Sequence, residues 1–382
     1  MSMQAMETPA GAGSGEPFLS TDGSRLYMSW LEEAPAGAHD LRVASLGEGE
    51  WDEPRTVERS EAFFVNWADF PSVTPTSDGL LWAHWLERGA TGGYDYGVRV
   101  VRSSDDGRTW SDPWTPHEDG TPTEHGFVAV LPMDDGIGLT WLDGRRYVDA
   151  PDGTPATREM TLRFRMLGAG GMPGPETLVD PRVCDCCQTD AAMSDAGPVV
   201  VYRDRTEAEI RDIYVTRRLE GEWTEGVPVH DDGWEIGGCP VNGPAVAARG
   251  RQVAVAWFTA PGDVPRVKVA FSSDAGASFG APVVVDDGNP IGRVDVLYTG
   301  EGRALVSWLE QTGDESAELR VREVRADGAA SASGTVAASS AARASGFPRM
   351  ARTAEGGVVL AWTDVSGERS LIRMSRLELE EE

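Results

Sequence analysis

The sequence is poor in positive charge, in cysteine and in long apolar runs. Lys268 is the only lysine, and 34 basic residues against 62 acidic ones give the 382-residue chain a formal net charge of -28. Nucleic-acid binding depends on cationic contacts to phosphate, so this charge argues against a nucleic-acid partner. No segment approaches the roughly 20 apolar residues that cross a bilayer, so we expect no membrane span.

The N-terminal segment also lacks an apolar core. Residues 1–15 contain no run of the kind that a signal peptide needs, so no signal peptide is visible in this chain. We expect them to be a disordered leader or a tag-like tail, followed by a single domain over residues 16–382. That length exceeds the usual size of a domain with one hydrophobic core, a limit that repeated architectures escape.

The strongest internal signal is a repeated strand. The 45 glycines and 24 prolines, with no long segment at helical spacing, indicate many short strands joined by turns. In seven places a short apolar strand ends in an aromatic residue, usually followed two positions later by an acid. These aromatic residues are Trp30, Trp85, Trp141, Tyr202, Trp257, Trp308 and Trp362. Their spacing of 51 to 61 residues suits one four-stranded antiparallel blade, so we predict an all-β, seven-bladed β-propeller rather than a six-bladed one or a sandwich.

The repeat also predicts the order of strands within a blade. The strand before the aromatic one is expected to be innermost, with a third and a fourth strand outside it. The last repeat stops after its third strand, LIRMSRLE at 371–378, so one outer strand is missing there. We expect residues near Glu16–Leu19 to supply it, because closing the ring removes exposed sheet edges.

Two turns after third strands share a motif, S-S-D-D-G-R-T-W at 103–110 and S-S-D-A-G-A-S-F at 272–279. Its Asp can accept backbone N–H groups of the turn, its Gly permits positive φ, and its aromatic residue can pack between sheets. With these motifs the chain resembles the Asp-box (BNR-repeat) sialidase-like β-propeller superfamily, in a divergent branch. The resemblance implies Asp boxes on the face opposite the site, and an extracytoplasmic (periplasmic or secreted) location.

The other face of the predicted ring carries the chemistry. Loops that lead into the inner strands and loops that leave the second strands emerge there together, around the central channel. As catalytic candidates we single out Asp69, Asp190, Arg293 and Asp295, and as substrate-binding candidates Asn66, Asn242, Arg203, Arg205 and Arg349. A small molecule or a glycan is the partner that such a face suggests.

All four cysteines precede two successive inner strands, in V-C-D-C-C-Q (Cys184, Cys186, Cys187) and G-C-P-V-N-G (Cys239). A domain of this size needs no disulfide staples, so the clustering suggests a metal or redox thiolate site. Several sulfur ligands select a soft or borderline ion, and the C-x-C-C spacing fits neither ordinary structural zinc nor iron–sulfur clusters. Copper is therefore favoured, with zinc, or disulfides without a metal, as alternatives. His125 is a candidate nitrogen ligand.

Three classes of function follow. The first is a cysteine-rich metal or redox site at the central mouth, acting as a metal- or thiol-dependent oxidoreductase. The second, implied by the resemblance, is an exo-acting glycosidase with Arg293, Arg349 and Arg203 or Arg205 as a carboxylate clamp and Tyr147 as a nucleophile. The family's F-R-I-P motif is missing from the first repeat, and no Tyr/Glu pair is evident, so we expect sialidase activity to be absent or very weak. The third is a noncatalytic propeller that binds a glycan or a protein.

Overall fold

The architecture consists of seven antiparallel sheets. The computed structural model describes residues 2–47, 49–149 and 153–379. Within these ranges the helical elements are four single 3₁₀ turns, at Pro35–Gly37, Arg145–Tyr147, Pro261–Asp263 and Arg343–Ser345. No helix in this part of the chain is long and apolar enough to cross a membrane.

The strands fall into blades that we number in chain order by their inner strands. The first strand, β1 (Ser2–Met6), belongs to the last blade. Blade 1 contains β2 (Ser14–Thr21), β3 (Leu26–Glu33), β4 (His39–Gly47), β5 (Glu50–Trp51) and β6 (Arg55–Ser60). Blade 2 contains β7 (Ser72–Pro75), β8 (Leu81–Arg88) and β9 (Tyr96–Ser103). Blade 3 contains β10 (His125–Pro132), β11 (Ile137–Asp143), β12 (Met160–Leu167) and β13 (Thr177–Val183).

The remaining strands complete the ring. Blade 4 contains β14 (Asp190–Ser194), β15 (Gly197–Arg203), β16 (Ile213–Leu219), β17 (Glu222–Trp223) and β18 (Val227–Pro228). Blade 5 contains β19 (Ala245–Arg249), β20 (Gln252–Thr259), β21 (Arg266–Ser272) and β22 (Val283–Val284). Blade 6 contains β23 (Pro290–Gly300), β24 (Arg303–Gln311), β25 (Ser316–Arg325) and β26 (Gly334–Ser340). Blade 7 contains β27 (Arg349–Arg352), β28 (Val358–Asp364), β29 (Leu371–Glu378) and β1.

The prediction of a seven-bladed propeller is thus confirmed. Blade 2 departs from the four-stranded pattern, since its sheet has three strands and its fourth position is reduced to one bridge. There the backbone of Val100 and Trp114 exchanges two hydrogen bonds of 2.7 and 2.8 Å.

The N-terminal part of the chain supplies the missing outer strand, as expected, but through a different segment. The outer strand of blade 7 is β1, which pairs antiparallel with β29, and residues 16–19 lie instead in β2, the inner strand of blade 1. The prediction for Glu16–Leu19 was therefore wrong, and the leader expected over residues 1–15 contains the closing strand. Met3 packs against the core between blades 6 and 7, whereas Met6 packs against the core between blades 7 and 1. β1 has only these two large apolar residues, so its sequence shows no clear alternating pattern that would predict a strand.

The aromatic repeat fills the space between neighbouring blades. In three repeats the buried indole N–H donates to the acid two positions later, so the pair places a large apolar surface in the core without leaving its donor unpaired. These bonds are Trp30 to Glu32 (3.0 Å), Trp141 to Asp143 (2.8 Å) and Trp308 to Glu310 (2.6 Å). Where position 259 is a threonine, Trp257 donates to Asp232 of the preceding loop instead, at 2.7 Å.

The two turns with the S-S-D-x-G motif have the same geometry. Ser103 donates to Asp105 and accepts the N–H of Gly107, while Asp105 accepts both the N–H and the hydroxyl of Thr109, all at 2.8–2.9 Å. Ser272, Asp274, Gly276 and Ser278 repeat these four bonds at 2.6–2.9 Å. Because each turn leaves a third strand, antiparallel order puts it on the face opposite the loops that lead into the inner strands.

Candidate functional site

Neighbouring inner strands are tied by side chains at the channel face. Each of four predicted site residues accepts a backbone N–H from the following blade. The bonds run from Phe127 to Asp69 (2.7 Å), from Val246 to Asp190 (2.8 Å), from Arg293 to Asn242 (2.8 Å) and from Met350 to Asp295 (2.7 Å). Burial raises the pKa of Asp69 to about 8 and that of Asp190 to about 6. Their geometry assigns these side chains to joining blades, and Asp190 and Asp295 both lie near Arg349.

Arg293 and Arg203 both form hydrogen bonds within the fold. Arg293 Nη1 donates to Ser345 Oγ at 2.7 Å and to two backbone carbonyls, and its guanidinium lies 4.8 Å from the ring centroid of Trp67. Arg203 is 1% exposed and donates to the carbonyls of three residues in the adjoining loops, which are Arg211, Asn242 and Phe258. Every guanidinium nitrogen of Arg203 is therefore occupied, while Arg293 has its Nη1 and one face of its guanidinium occupied.

The two remaining arginines have different partners. Arg205 pairs with Glu209 at 2.7 Å. Arg349 lies in the channel, 5.1 and 4.7 Å from the ring centroids of Phe18 and Phe70. The three-arginine clamp that the resemblance implied stays a prediction.

The axis of the ring is covered by residues 61–71, which we call the axial loop. Asn66 Oδ1 accepts the N–H of Ala68 and shapes its turn. Gln188 of blade 4 donates to the carbonyl of Ala68, and Trp67 stacks on Phe347, next to blade 7, with centroids 5.9 Å apart. Because a loop of blade 2 contacts blades 4 and 7, it crosses the axis. The expected site at the central mouth is thereby moved to one side.

The cysteines meet between the loops of blades 4 and 5. The sulfur of Cys184 lies 3.9 Å from that of Cys186 and 3.8 Å from that of Cys187, and all three sulfurs lie within 4.8 Å of one another. Cys239 reaches the same group from the next blade, within 4.8 Å of Cys186. Cys184 and Cys187 are buried, Cys186 is half-buried and Cys239 is exposed. The clustering predicted from sequence is therefore present.

Positive charge surrounds the buried end of this cluster. Arg211 Nη1 lies 3.3 Å from the sulfur of Cys184, and its other nitrogen pairs with Glu209 at 2.8 Å. The pKa of Cys184 is lowered by hydrogen bonds from the Cys186 and Cys187 thiols, and further by the charges of Arg203 and Arg211. Cys184 is thus the thiol most readily ionised, as a nucleophile or a metal ligand requires.

A cleft of about 400 Å³ leads to the exposed end of the cluster. Its lining includes Glu124, Tyr147, Asp185, Cys186 and Cys239. Asp185 is held from two sides, since its Oδ2 accepts the Tyr147 hydroxyl at 3.1 Å and its Oδ1 lies 3.3 Å from Arg211. Tyr147, expected as a nucleophile, here orients a carboxylate, and burial, followed by the charge and hydrogen bond of Asp185, raises the pKa of Tyr147.

A Tyr/Glu pair that the sequence did not reveal borders this cleft. The Tyr96 hydroxyl lies 2.6 Å from Glu124 Oε1 and 3.1 Å from Asp69 Oδ2. Tyr96 itself is 2% exposed and stacks on Phe64 with centroids 3.9 Å apart. Because the hydroxyl is shielded from the cleft by this packing, the pair does not offer a nucleophile to a sugar ring.

His125 belongs to a different group of residues. Its ring stacks on that of His117 at 3.9 Å, its Nε2 lies 3.1 Å from Asp119, and its Nδ1 lies 3.0 Å from the carbonyl of Thr123. Burial alone would lower the pKa of His125, but the bond to Asp119 and nearby acidic charge outweigh it and raise the pKa. With an oxygen atom next to each ring nitrogen, His125 faces Asp119 and Thr123 and not the thiols.

Two residues of the site were missed by sequence reasoning. Asp185 stands inside the C-D-C-C run, so its position next to the thiols was available as a signal. Arg211 follows Arg203 and Arg205 in one loop, and nothing in the local pattern distinguishes which of the three faces the sulfurs.

No protein-family model matches the sequence, and no curated protein matches it significantly. Solved structures do match. The polysaccharide lyase Uly1 aligns at a TM-score of 0.55 and 10% identity over 98% of this chain and 91% of the lyase. The α-L-arabinanase of Penicillium chrysogenum aligns at 0.50 and 14% over 96% and 93%. The NanB sialidase of Streptococcus pneumoniae aligns at 0.49 and 12% over 95% and 68%.

The chain shares the β-propeller fold of the lyase and the arabinanase. At 14% identity or less the likeness concerns the fold alone, and it confirms the resemblance at that level. Activity has to be argued from the site.

Proposed function

We propose that this propeller binds a soft metal ion, Cu(I) being favoured, through the thiolates of Cys184, Cys186 and Cys187, which we call the inner thiol group. The observation that carries the proposal is the convergence of these three sulfurs within 4.8 Å of one another, with Cys184 3.8 and 3.9 Å from the other two and 3.3 Å from Arg211. Soft thiolate ligands select Cu(I) over harder ions, and zinc is the alternative.

The sulfur geometry fits a metal. Thiolates bound to one ion at about 2.3 Å stand about 3.8 Å apart in a tetrahedral site and about 4.0 Å apart in a trigonal one. The two separations from Cys184 match these values, and the third pair of sulfurs lies within 4.8 Å. An ion bound there would be a soft cation that polarises neighbouring groups. The chain's own residues hold and orient the sulfurs, and Arg211 offsets the negative charge of the thiolates.

The approach to the thiols favours cations. The cleft carries the acids Glu124 and Asp185, and the whole chain has a net charge of -28. Such a surface attracts a metal ion and repels a carboxylate such as that of a sialic acid. Its volume of about 400 Å³ also suits a small-molecule partner next to the bound ion. From the resemblance we expect an extracytoplasmic location.

Titration of the reduced protein with Cu(I) against a competing chelator tests the proposal. We expect tight binding in the wild type, and a loss of affinity of more than about 100-fold in Cys186→Ser, since ligand loss should exceed the 10- to 100-fold effect of outer-shell changes. Circular dichroism should show that the variant keeps its fold, because blade packing rather than the thiols holds the ring.

His125→Gln provides the matched control, since it removes the predicted nitrogen ligand. We expect its Cu(I) affinity to stay near that of the wild type, because His125 faces Asp119 and not the sulfurs. A wild-type protein that binds no Cu(I), or a folded Cys186→Ser variant that keeps wild-type affinity, would overturn the proposal.

A further inference from the structure

The exposed end of the cysteine cluster forms a second ligand group. Oδ of Asp185 and the sulfurs of Cys186 and Cys239 lie within 4.8 Å of one another. We call Asp185, Cys186 and Cys239 the outer ligand group. It faces the cleft, whereas Cys184 and Cys187 of the inner thiol group are each 1% exposed. Cys186 belongs to both groups.

We infer that the outer ligand group is a second metal position, which takes a borderline divalent cation such as Zn²⁺ and shares the Cys186 sulfur with the inner thiol group. The inference rests on the proposed function only in that the shared sulfur also serves the inner position. Two sulfurs and one carboxylate oxygen form a harder ligand set than three sulfurs, so the two positions differ in the ion that they prefer.

The distances support this assignment. A thiolate at about 2.3 Å and a carboxylate oxygen at about 2.1 Å from one tetrahedral ion stand about 3.6 Å apart. The Cys239 sulfur lies 3.6 Å from Asp185 Oδ1. The two cysteines of the outer ligand group come from successive blades, so an ion there would also link the loops of blades 4 and 5.

The carboxylate is oriented before any ion binds. Tyr147 donates to Asp185 Oδ2 at 3.1 Å, and Arg211 lies 3.3 Å from Oδ1. These two contacts fix the direction of the carboxylate, and the Tyr147 hydroxyl on Oδ2 leaves Oδ1 turned toward Cys239. Asp95 lines the same cleft but its carboxylate is taken by the backbone and hydroxyl of Thr91, at 2.9 and 2.7 Å. Asp95→Asn therefore serves as a control for the loss of one acid from the same cleft.

Two variants separate the positions. The Cys184→Ser/Cys187→Ser double variant retains only the outer ligand group, and we expect it to bind one Zn²⁺ per chain, with Co²⁺ giving thiolate charge-transfer absorption. Adding Asp185→Asn should weaken Zn²⁺ binding at least about tenfold, whereas adding Asp95→Asn should leave it within about twofold. Cys239→Ser retains only the inner thiol group and is titrated with Cu(I).

The outcomes distinguish the two hypotheses. If Cys239→Ser binds Cu(I) while the double variant binds no Zn²⁺, or binds it equally well with Asp185→Asn, the outer position is refuted and the proposed function stands. If Cys239→Ser binds no Cu(I) while the double variant binds Zn²⁺ in an Asp185-dependent way, the outer position stands alone. Should the buried serines unfold the chain, wild type loaded with one Cu(I) is titrated with Zn²⁺, and its Zn²⁺ affinity must fall in Asp185→Asn and Cys239→Ser.

Discussion

Tyr96 lies between two carboxyl groups, and its single hydroxyl proton can serve only one of them. The shorter contact is to Glu124 (2.6 Å), so the contact to Asp69 at 3.1 Å requires a proton on the Asp69 side. The other oxygen of Asp69 accepts the N–H of Phe127. Burial raises the pKa of Asp69 to about 8, in agreement with a protonated side chain at neutral pH. Asp69 thus acts as a neutral hydrogen-bonding link between blades 2 and 3.

An amide at position 69 can make the same two bonds, which gives a prediction about pH. The folded protein keeps the Asp69 proton up to about pH 8, whereas the unfolded chain releases it near 3.8, so the free energy of unfolding of the wild type falls as the pH rises through this window. Asp69→Asn has no proton to release there. We therefore expect the melting temperature of Asp69→Asn, relative to that of the wild type at the same pH, to rise by several degrees between pH 4 and pH 8. Parallel pH profiles for the two proteins would contradict this account.

At the scale of elements, the inner strands depend on side-chain ties as much as on their own sheets. Asp295 Oδ2 accepts the N–H of Met350 in the next blade, and its Oδ1 accepts the N–H of Val296. Removing the side chain leaves a buried backbone donor without a partner, which costs about 1–3 kcal/mol. Arg349, which faces Asp295 in the channel, would lose its nearby negative charge as well.

We therefore predict that Asp295→Ala lowers the free energy of unfolding by about 1–3 kcal/mol, while Asp295→Asn, which keeps an acceptor oxygen, lowers it by less. Chemical denaturation measures both values. Neither variant should change Cu(I) binding, because Asp295 lies on blade 6 and the thiols lie at blades 4 and 5. Equal losses for alanine and asparagine would show that the acceptor does not carry the effect.

Elements with a local pattern were predictable from the sequence, and elements defined by distant contacts were not. The aromatic residue and the acid two positions later encode burial and hydrogen bonding within one strand, so all seven blades could be counted. The axial loop is held by Gln188, 120 positions from Ala68, and no local pattern shows that contact. The thiol cluster could be predicted because its two loops lead into neighbouring inner strands, whereas the role of Arg211 depends on the folded course of its loop.

On the scale of the whole molecule, the ring is closed by five residues at one end of the chain. β1 pairs along its full length with β29, from Ser2 opposite Glu378 to Met6 opposite Met374. Its two methionines reach the cores on either side of blade 7. Without β1, β29 would become an exposed edge strand, which favours pairing with another chain. The thiols lie on blades remote from this closure, so closure and metal binding are separable properties.

Deleting residues 1–6 tests this separation. We expect the deletion to lower the free energy of unfolding by about 2–4 kcal/mol, from lost backbone pairing and partly lost methionine burial. We also expect it to promote self-association through β29, measured by light scattering. Its Cu(I) affinity should remain at the wild-type level, since the loops of blades 4 and 5 are untouched.

The Met3→Ala/Met6→Ala variant keeps the backbone of β1 and serves as the control, with a smaller loss of stability and no association. A truncated chain that stays monomeric with an unchanged melting temperature would show that β1 does not close the ring. A loss of Cu(I) binding in the truncated chain would show that the site depends on ring closure.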